Sequence, residues 1–190
     1  MRVQLPDTTL HTREILYAKG VLDDLDTLHL FVNHWPSKVG GAKASMARRM
    51  AAAQRLCLSV DSIFARHPAA NVVIMGDFND TPLSKVMQVL TQGRPLHNLS
   101  VQLARRKQGT IRYRGRWELI DQIIVSENLL CLDEPIYTSA GHYCIFTAPF
   151  LLIPDDRYLG TKPFRTYLGP RYQGGISDHL PVILSIERNY

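Results

Sequence analysis

Cysteine is scarce and poorly placed for either of its structural roles. Cys57, Cys131 and Cys144 are odd in number, far apart and form no C-x-x-C pair, so neither a disulfide framework nor a zinc site is expected; they read as small core hydrophobes. Long apolar runs are missing too: nothing approaches the roughly 18–20 residues a membrane-crossing helix requires. The N-terminus, Met1-Arg2-Val3-Gln4-Leu5-Pro6-Asp7, turns polar before any apolar region of useful length, so it does not read as a secretory leader. A cytoplasmic location is then the default expectation. Repeats and low-complexity tracts are absent as well. The excess of one charge sign is small, 22 Lys and Arg against 17 Asp and Glu, a formal +5. That excess favours a polyanionic partner through steering and counter-ion release without identifying one. Within these limits, 190 residues that are 45% hydrophobic and 21% charged suit a single domain, 1–190, with a real core.

The most informative stretch is Val72-Val73-Ile74-Met75-Gly76-Asp77-Phe78-Asn79-Asp80-Thr81-Pro82. Four apolar residues, mostly β-branched, predict a strand buried on both faces, and Gly76 lets the backbone turn sharply at its end. Asp77 and Asn79 then sit at the carboxyl end of the strand, where open α/β sheets place their ligands. A carboxylate there can orient a nucleophile or hold a metal, and an amide can donate to a charged oxygen. Taken alone, the same residues also read as a polar turn closing a strand.

Upstream, 15–22 and 27–32 predict a hairpin across an acidic turn, and the second strand runs into Asn33-His34-Trp35-Pro36-Ser37-Lys38. His34 therefore lies at a strand end; a lone histidine there can be structural or a ligand. From 42 to 66 apolar Met46, Met50, Ala53, Leu56, Val60, Ile63 and Phe64 recur at helical spacing. Strand, helix and buried strand make a β-α-β unit, which places His34 and Asp77 at one sheet edge if the strands run parallel. Arg48, Arg49 and Arg55 on that helix either face phosphate or form its solvated side. A short helix is expected over 83–92. The basic stretch 101–115 reads as a substrate-facing loop or as an exposed turn with an edge strand. From Trp117 to Val125, alternation puts Trp117, Leu119, Asp121, Ile123 and Val125 on one face, with Glu118 pointing the other way. Asp121 is the sole carboxylate on that apolar face, and a buried acid needs a partner. A strand is expected over 142–149, then a long irregular segment from 151 to 175, whose aromatics favour order. It delivers the chain to Ser177-Asp178-His179-Leu180-Pro181 and a last strand over 182–186. Adjacent Asp178 and His179 cannot face the same way on extended backbone, so two jobs are implied, one on a metal and one on a proton.

Taken in order, Asn33-His34-Trp35-Pro36-Ser37, Gly76-Asp77-Phe78-Asn79-Asp80, Leu119-Ile120-Asp121-Gln122-Ile123 and Ser177-Asp178-His179-Leu180-Pro181-Val182 resemble the endonuclease/exonuclease/phosphatase family, the metal-dependent phosphoesterases related to DNase I. The resemblance spans about 28–186. It implies an α+β fold, the DNase I-like two-sheet α/β sandwich flanked by helices, and hydrolysis of a phosphodiester or phosphomonoester, nucleic acid among the candidates. It also implies roles: Asp77 orients or deprotonates the attacking water, Asn79 donates to the phosphoryl oxygen, His34 and Lys38 hold the phosphate, Asp178 binds Mg²⁺ with Mn²⁺ as substitute, and His179 is the acid/base imidazole whose tautomer Asp121 fixes and whose pKa it raises.

One departure accompanies the resemblance. The family's early strand ending in Gln-Glu, whose Glu binds the metal, has no match upstream of His34, and Glu14 is the only Glu there. The chain thus reads as the C-terminal portion of such a domain, lacking its first strands. Its alternative role is a non-catalytic remnant acting as a phosphate-binding or interaction module. An incomplete sandwich predicts an exposed apolar edge, from Leu28-Leu30-Val32 and Trp117-Leu119, that would drive association.

Overall fold

The computed structural model describes residues 1–3, 12–22, 24–38 and 41–189. β1 (Leu16–Leu22) and β2 (Asp26–His34) form the expected antiparallel hairpin. α1 (Ala42–Phe64) crosses to β3 (Asn71–Asp77), which runs parallel to β2 in a register that sets His34 beside Asp77. The β-α-β unit is therefore as the apolar periodicities predict. α2 (Lys85–Thr91) starts two residues later than expected, because Ser84 caps it by accepting from the Met87 amide at 3.3 Å.

The basic stretch departs more. It follows β4 (Leu96–Asn98), opens as α3 (Ser100–Arg105), and continues into β5 (Ile111–Tyr113), which pairs with β6 (Arg116–Glu118). The single strand expected from Trp117 to Val125 is two: β7 (Asp121–Ser126) starts after a break at Leu119 and Ile120. The break is a change of partner, since β6 pairs with β5 whereas β7 pairs antiparallel with β3 and β4. At the break the Ile120 carbonyl accepts the Phe78 amide at 2.9 Å, tying this corner to the turn after β3. The main sheet has the order β1-β2-β3-β7-β4.

The rest of the chain forms only two-stranded ladders among the described residues. β8 (Ile136–Tyr137) pairs with β15 (Glu187–Arg188), and β9 (Tyr143–Ile145) with β14 (Val182–Leu184). The stretch expected to be irregular is ordered by two hairpins, β10 (Leu152–Pro154) with β11 (Thr161–Pro163) and β12 (Tyr167–Leu168) with β13 (Arg171–Tyr172). The expected two-sheet sandwich is thus one five-stranded sheet faced by short ladders.

Side-chain alternation explains the layering. Phe31, Val72, Ile74 and Ile124 point to the helices and pack against Ala53, Leu56 and Val60 of α1 and Met87 and Leu90 of α2. Val73, Ile123 and Val125 point the other way, to Ile136, Tyr143, Val182 and Leu184 of the ladders. Each fully buried aliphatic side chain contributes about 1.5–3 kcal/mol. The expected edge residues divide: Leu28, Leu30, Val32 and Trp117 are half-buried, whereas Leu119 is buried, because the partner change turns it inward. Among the described residues no helix is long and apolar enough to cross a membrane.

α1 differs from expectation at its start. Met46 is exposed, and Ser45 and Arg49 take the inward positions. Arg49 faces no substrate: it is buried, bonds Asp80 Oδ2 at 3.1 Å, and donates to the Pro36 carbonyl and Ser45 Oγ. It clamps the turn after β2 to the turn after β3. Arg48 is half-buried, and Arg55 donates to the Arg2 carbonyl. Replacing Arg49 by Ala leaves the Asp80 carboxylate buried and unpaired, so denaturant unfolding should show a loss of about 3–5 kcal/mol. The double replacement Arg49→Met with Asp80→Asn should recover part of it; full stability in Arg49→Ala would show that the pair clamps nothing.

Candidate active site

Period-two geometry carries three side chains to one place. On β2 the series Leu28, Leu30, Val32 ends in His34; on β3 the series Val73, Met75 ends in Asp77; on β7 Asp121 begins the series Ile123, Val125. All three series face the ladders. The register pairs His34 with Asp77 and Asp77 with Asp121, so the three form a row across adjacent strands at one sheet edge. His34 Nε2 lies 3.5 Å from Asp77 Oδ2. Gly76 permits the row: its φ is +134°, and a Cβ there would sit 1.9 Å from the Asn33 carbonyl oxygen.

The turn after β3 is built around the Asp77 carboxylate. Oδ1 accepts the Asn79 amide at 2.7 Å and Oδ2 accepts Asn79 Nδ2 at 3.0 Å, while Asn79 itself is held at a left-handed φ of 50°. Asn79 Nδ2 also donates to the Trp35 carbonyl at 2.9 Å. Beneath this turn Trp35 meets Phe78 edge to face and donates its Nε1 to Asn33 Oδ1. The Asn79 side-chain amide is thus shared between Asp77 and the Trp35 carbonyl.

His179 arrives from the opposite layer, just before β14. Its Nδ1 lies 2.8 Å from Asp121 Oδ2, the contact the alternation at Asp121 calls for. The same carboxylate oxygen accepts Thr110 Oγ1 at 2.5 Å, and the Thr110 carbonyl accepts the Leu180 amide. A carboxylate acceptor places the imidazole proton on Nδ1 and leaves Nε2 without a protein hydrogen bond among the described residues. The Asp121 hydrogen bond raises the His179 pKa above the ordinary imidazole value against the opposing effect of burial, and the charges of Asp121, Asp77 and Asp178 add to the rise. Burial pushes Asp77 up; the Asn79 amide opposes this, and the charge of Asp121 adds to it.

His34, Lys38, Asp77, Asn79, Asp178 and His179 line one cleft of about 980 Å³ with Ser37, Ile111, Tyr113, Glu118, Ile120 and Ser177. Asp121 lies behind His179 and lines the apolar groove, about 330 Å³, between the two layers. His34, Lys38, Asp77, Asn79, Asp121, Asp178 and His179 therefore gather at this edge, whereas Arg48, Arg49 and Arg55 are not among the residues lining it. Ligating atoms of Asp77, Asp121 and His179 lie within 4.8 Å of one another. Carboxylate oxygens suit a hard divalent cation, and since His179 Nδ1 is committed to Asp121, the carboxylates are the better donors. Asp178 is exposed on the cleft wall, outside that trio. Glu14 pairs with Arg2 at 3.3 Å and is not among the cleft residues. Glu118, expected to point away, does line the cleft, because the partner change after β6 breaks the alternation, and it lies 3.9 Å from Lys38. Nothing in the sequence marks Thr110: a lone threonine in a basic stretch carries no signal until its partner is known.

The model of the Endonuclease/Exonuclease/phosphatase family matches residues 1–188. The chain belongs to this family. Solved structures share the fold of this family member: truncated Caenorhabditis elegans TDP2 (14% identity, TM-score 0.55, 98% of this chain and 64% of that one) and the catalytic domain of human Nocturnin with a bound sulfate anion (16%, 0.55, 98% and 57%). D. rerio TDP2 complexed with a single-strand DNA product matches at 16% identity and a TM-score of 0.50, over 91% of this chain and 61% of that one. The chain spans about half to two-thirds of the length of the solved proteins it matches. No curated protein matches the sequence.

The Asp121 to His179 bond can be tested without substrate. Asp121→Asn removes the acceptor charge, so the His179 ring resonance followed by NMR should titrate at lower pH than in the wild type. A pKa raised on folding contributes stability that is full below the unfolded value near 6.5 and lost as pH rises through the folded value. The stability lost in Asp121→Asn should therefore be larger at mildly acidic than at alkaline pH. An unshifted His179 titration would break the pairing.

Proposed function

We propose that the chain is a metal-dependent phosphoesterase that cleaves a phosphate ester by in-line attack of water. The observation that carries this reading is the convergence of Asp77, Asp121 and His179 at one strand edge, with His34 and Asn79 alongside. Asp77, held at both oxygens by Asn79, orients the attacking water and takes up its proton; its raised pKa suits that second task. The phosphoryl group lies between His34, Lys38 and Asn79, whose amide exchanges its bond to Asp77 or Trp35 for one to the phosphoryl oxygen as charge builds. As the P–O bond to the leaving group breaks, His179, oriented through Nδ1 by Asp121, gives its Nε2 proton to the departing oxygen. Mg²⁺, or Mn²⁺ in its place, would be held by Asp178 with the Asp77 and Asp121 carboxylates near it. When bound it neutralises charge on the phosphoryl oxygens. A phosphate-binding module without turnover is the second reading, favoured by Asp178 lying outside the Asp77, Asp121 and His179 group among the described residues.

Hydrolysis of bis-p-nitrophenyl phosphate and p-nitrophenyl phosphate with Mg²⁺, with Mn²⁺ and with chelator separates the two. Turnover should need the metal and fall about a hundredfold or more in His179→Ala, and Asp178→Asn should weaken Mn²⁺ binding followed by its paramagnetic resonance. Metal-independent turnover, or full activity in His179→Ala, contradicts the mechanism. Phosphate binding without any turnover establishes the module instead.

A further inference from the structure

Chain neighbours of the cleft residues line a second pocket, of about 420 Å³. Glu118 and His179 line the cleft, whereas Trp117 and Leu180 line the pocket, and the two share no residue. The volume lies within the range of small-molecule sites. Leu103, Trp117, Ile145, Leu152 and Leu180 supply apolar surface, and no carboxylate lines it. The side-chain donors of Lys107, Gln108 and Trp117, all on its walls, have no protein acceptor among the described residues. The pocket thus combines apolar walls with unused donors, and one of those donors is a cation.

The end of α3 places that cation. The Lys107 amide donates to the Ala104 carbonyl and the Gln108 amide to the Leu103 carbonyl, both at 3.0 Å, the pair of bonds that closes a helix through one left-handed residue. That residue is Lys107 itself, at φ 58°, where glycine is the usual choice. Lys107 and the exposed Arg105 and Arg106 before it have no carboxylate within ion-pair distance among the described residues. Two other walls belong to the supports of the candidate active site. Gly109 precedes Thr110, the donor to Asp121, and lies so close to the Glu118 backbone that a Cβ would sit 2.5 Å from the Glu118 nitrogen. Leu180 follows His179, and its amide donates to the Thr110 carbonyl at 2.8 Å.

A bare inorganic anion would leave the apolar walls unused, a neutral apolar molecule would leave the donors unpaired, and a cation would meet Lys107 with two arginines beside it. We propose that this pocket binds a small organic anion with an apolar body of ring size, its charged head on Lys107, and that the bound ligand clamps the Thr110–Leu180 contact supporting His179 from behind. It is an effector site, separate from the cleft in which a phosphate ester would lie. Binding requires no turnover, so the proposal stands apart from the phosphoesterase reading.

The test is amide NMR of the full chain, in chelator, titrated with naphthoate, with uncharged naphthylmethanol and with inorganic phosphate. Naphthoate should shift the Gly109 and Leu180 amides and the Trp117 indole, with a Kd of about a millimolar or tighter, and bind at least about fivefold more tightly than naphthylmethanol. Lys107→Gly, a replacement that suits the left-handed backbone and so keeps the fold, should bring naphthoate down to the affinity of the alcohol. In Cys131→Ser, Cys144 on the pocket wall is the one exposed thiol left, and naphthoate at ten times its Kd should slow the alkylation of Cys144 by iodoacetamide about tenfold. Hydrogen exchange of the Leu180 amide should slow by a similar factor, because opening the Thr110 contact opens the pocket. Equal affinity for naphthoate and naphthylmethanol, the same shifts from inorganic phosphate, shifts confined to Ser37 and Tyr113 of the cleft, or no binding overturns the site. Unchanged Leu180 exchange under saturating naphthoate overturns the clamp. Binding as described by a chain that hydrolyses no phosphate ester supports the pocket and removes the enzyme.

Discussion

One carboxylate oxygen joins the two layers of this molecule. Asp121 Oδ2 accepts from Thr110 Oγ1 and from His179 Nδ1, donors far apart in the sequence: Thr110 precedes β5, and His179 precedes β14. The Thr110 carbonyl then accepts the Leu180 amide, so the segment carrying His179 is fastened both through the acid and around it. Bonds to an ionised acceptor are the strong ones, and these are largely shielded from water. The apolar groove between the layers shows that packing alone does not close this end of the structure, which leaves polar contacts to set the spacing of sheet and ladders.

The strands that deliver the site are legible because burial on both faces produces long β-branched runs, and the period of two then dictates which side chain ends each series. His34, Asp77 and Asp121 are visible on that basis alone, and so is the need of Asp121 for a partner. Glu118 and Leu119 defeat the same rule. Alternation assumes one continuous ladder, and the chain changes ladder partner between β6 and β7, a nonlocal event with no local signature. Arg49 fails for a related reason. Helical spacing marks its face as inward, but an arginine reads as solvated until Asp80 is seen to lie against it. β4 and α3 leave no trace in the sequence, because three strand residues and six helical ones are too few for a period to show.

The site and its surroundings are built by different means. Strand ends in a locked register hold the groups that must be accurate, and buried contacts such as Trp35 on Phe78 and Arg49 on Asp80 fix the turns that follow them. The β5–β6 hairpin at the cleft has an exposed tip and a buried anchor: Arg112 braces it, while Tyr113 and Arg114 next to it stay open. Rigid support beneath an exposed aromatic lowers the entropy lost when a partner settles on it.

The register that builds the site also works against stability. Asp77 and Asp121 are direct cross-strand neighbours, an arrangement of like charges that sheets ordinarily avoid. The fold tolerates it by giving each acid its own donors, Asn79 for one and Thr110 with His179 for the other. What those donors leave uncompensated shows in the raised pKa of Asp77, to which burial and the charge of Asp121 both contribute. A divalent cation relieves the same repulsion. The raised pKa of Asp77 and the suitability of this row for a cation therefore have one electrostatic origin.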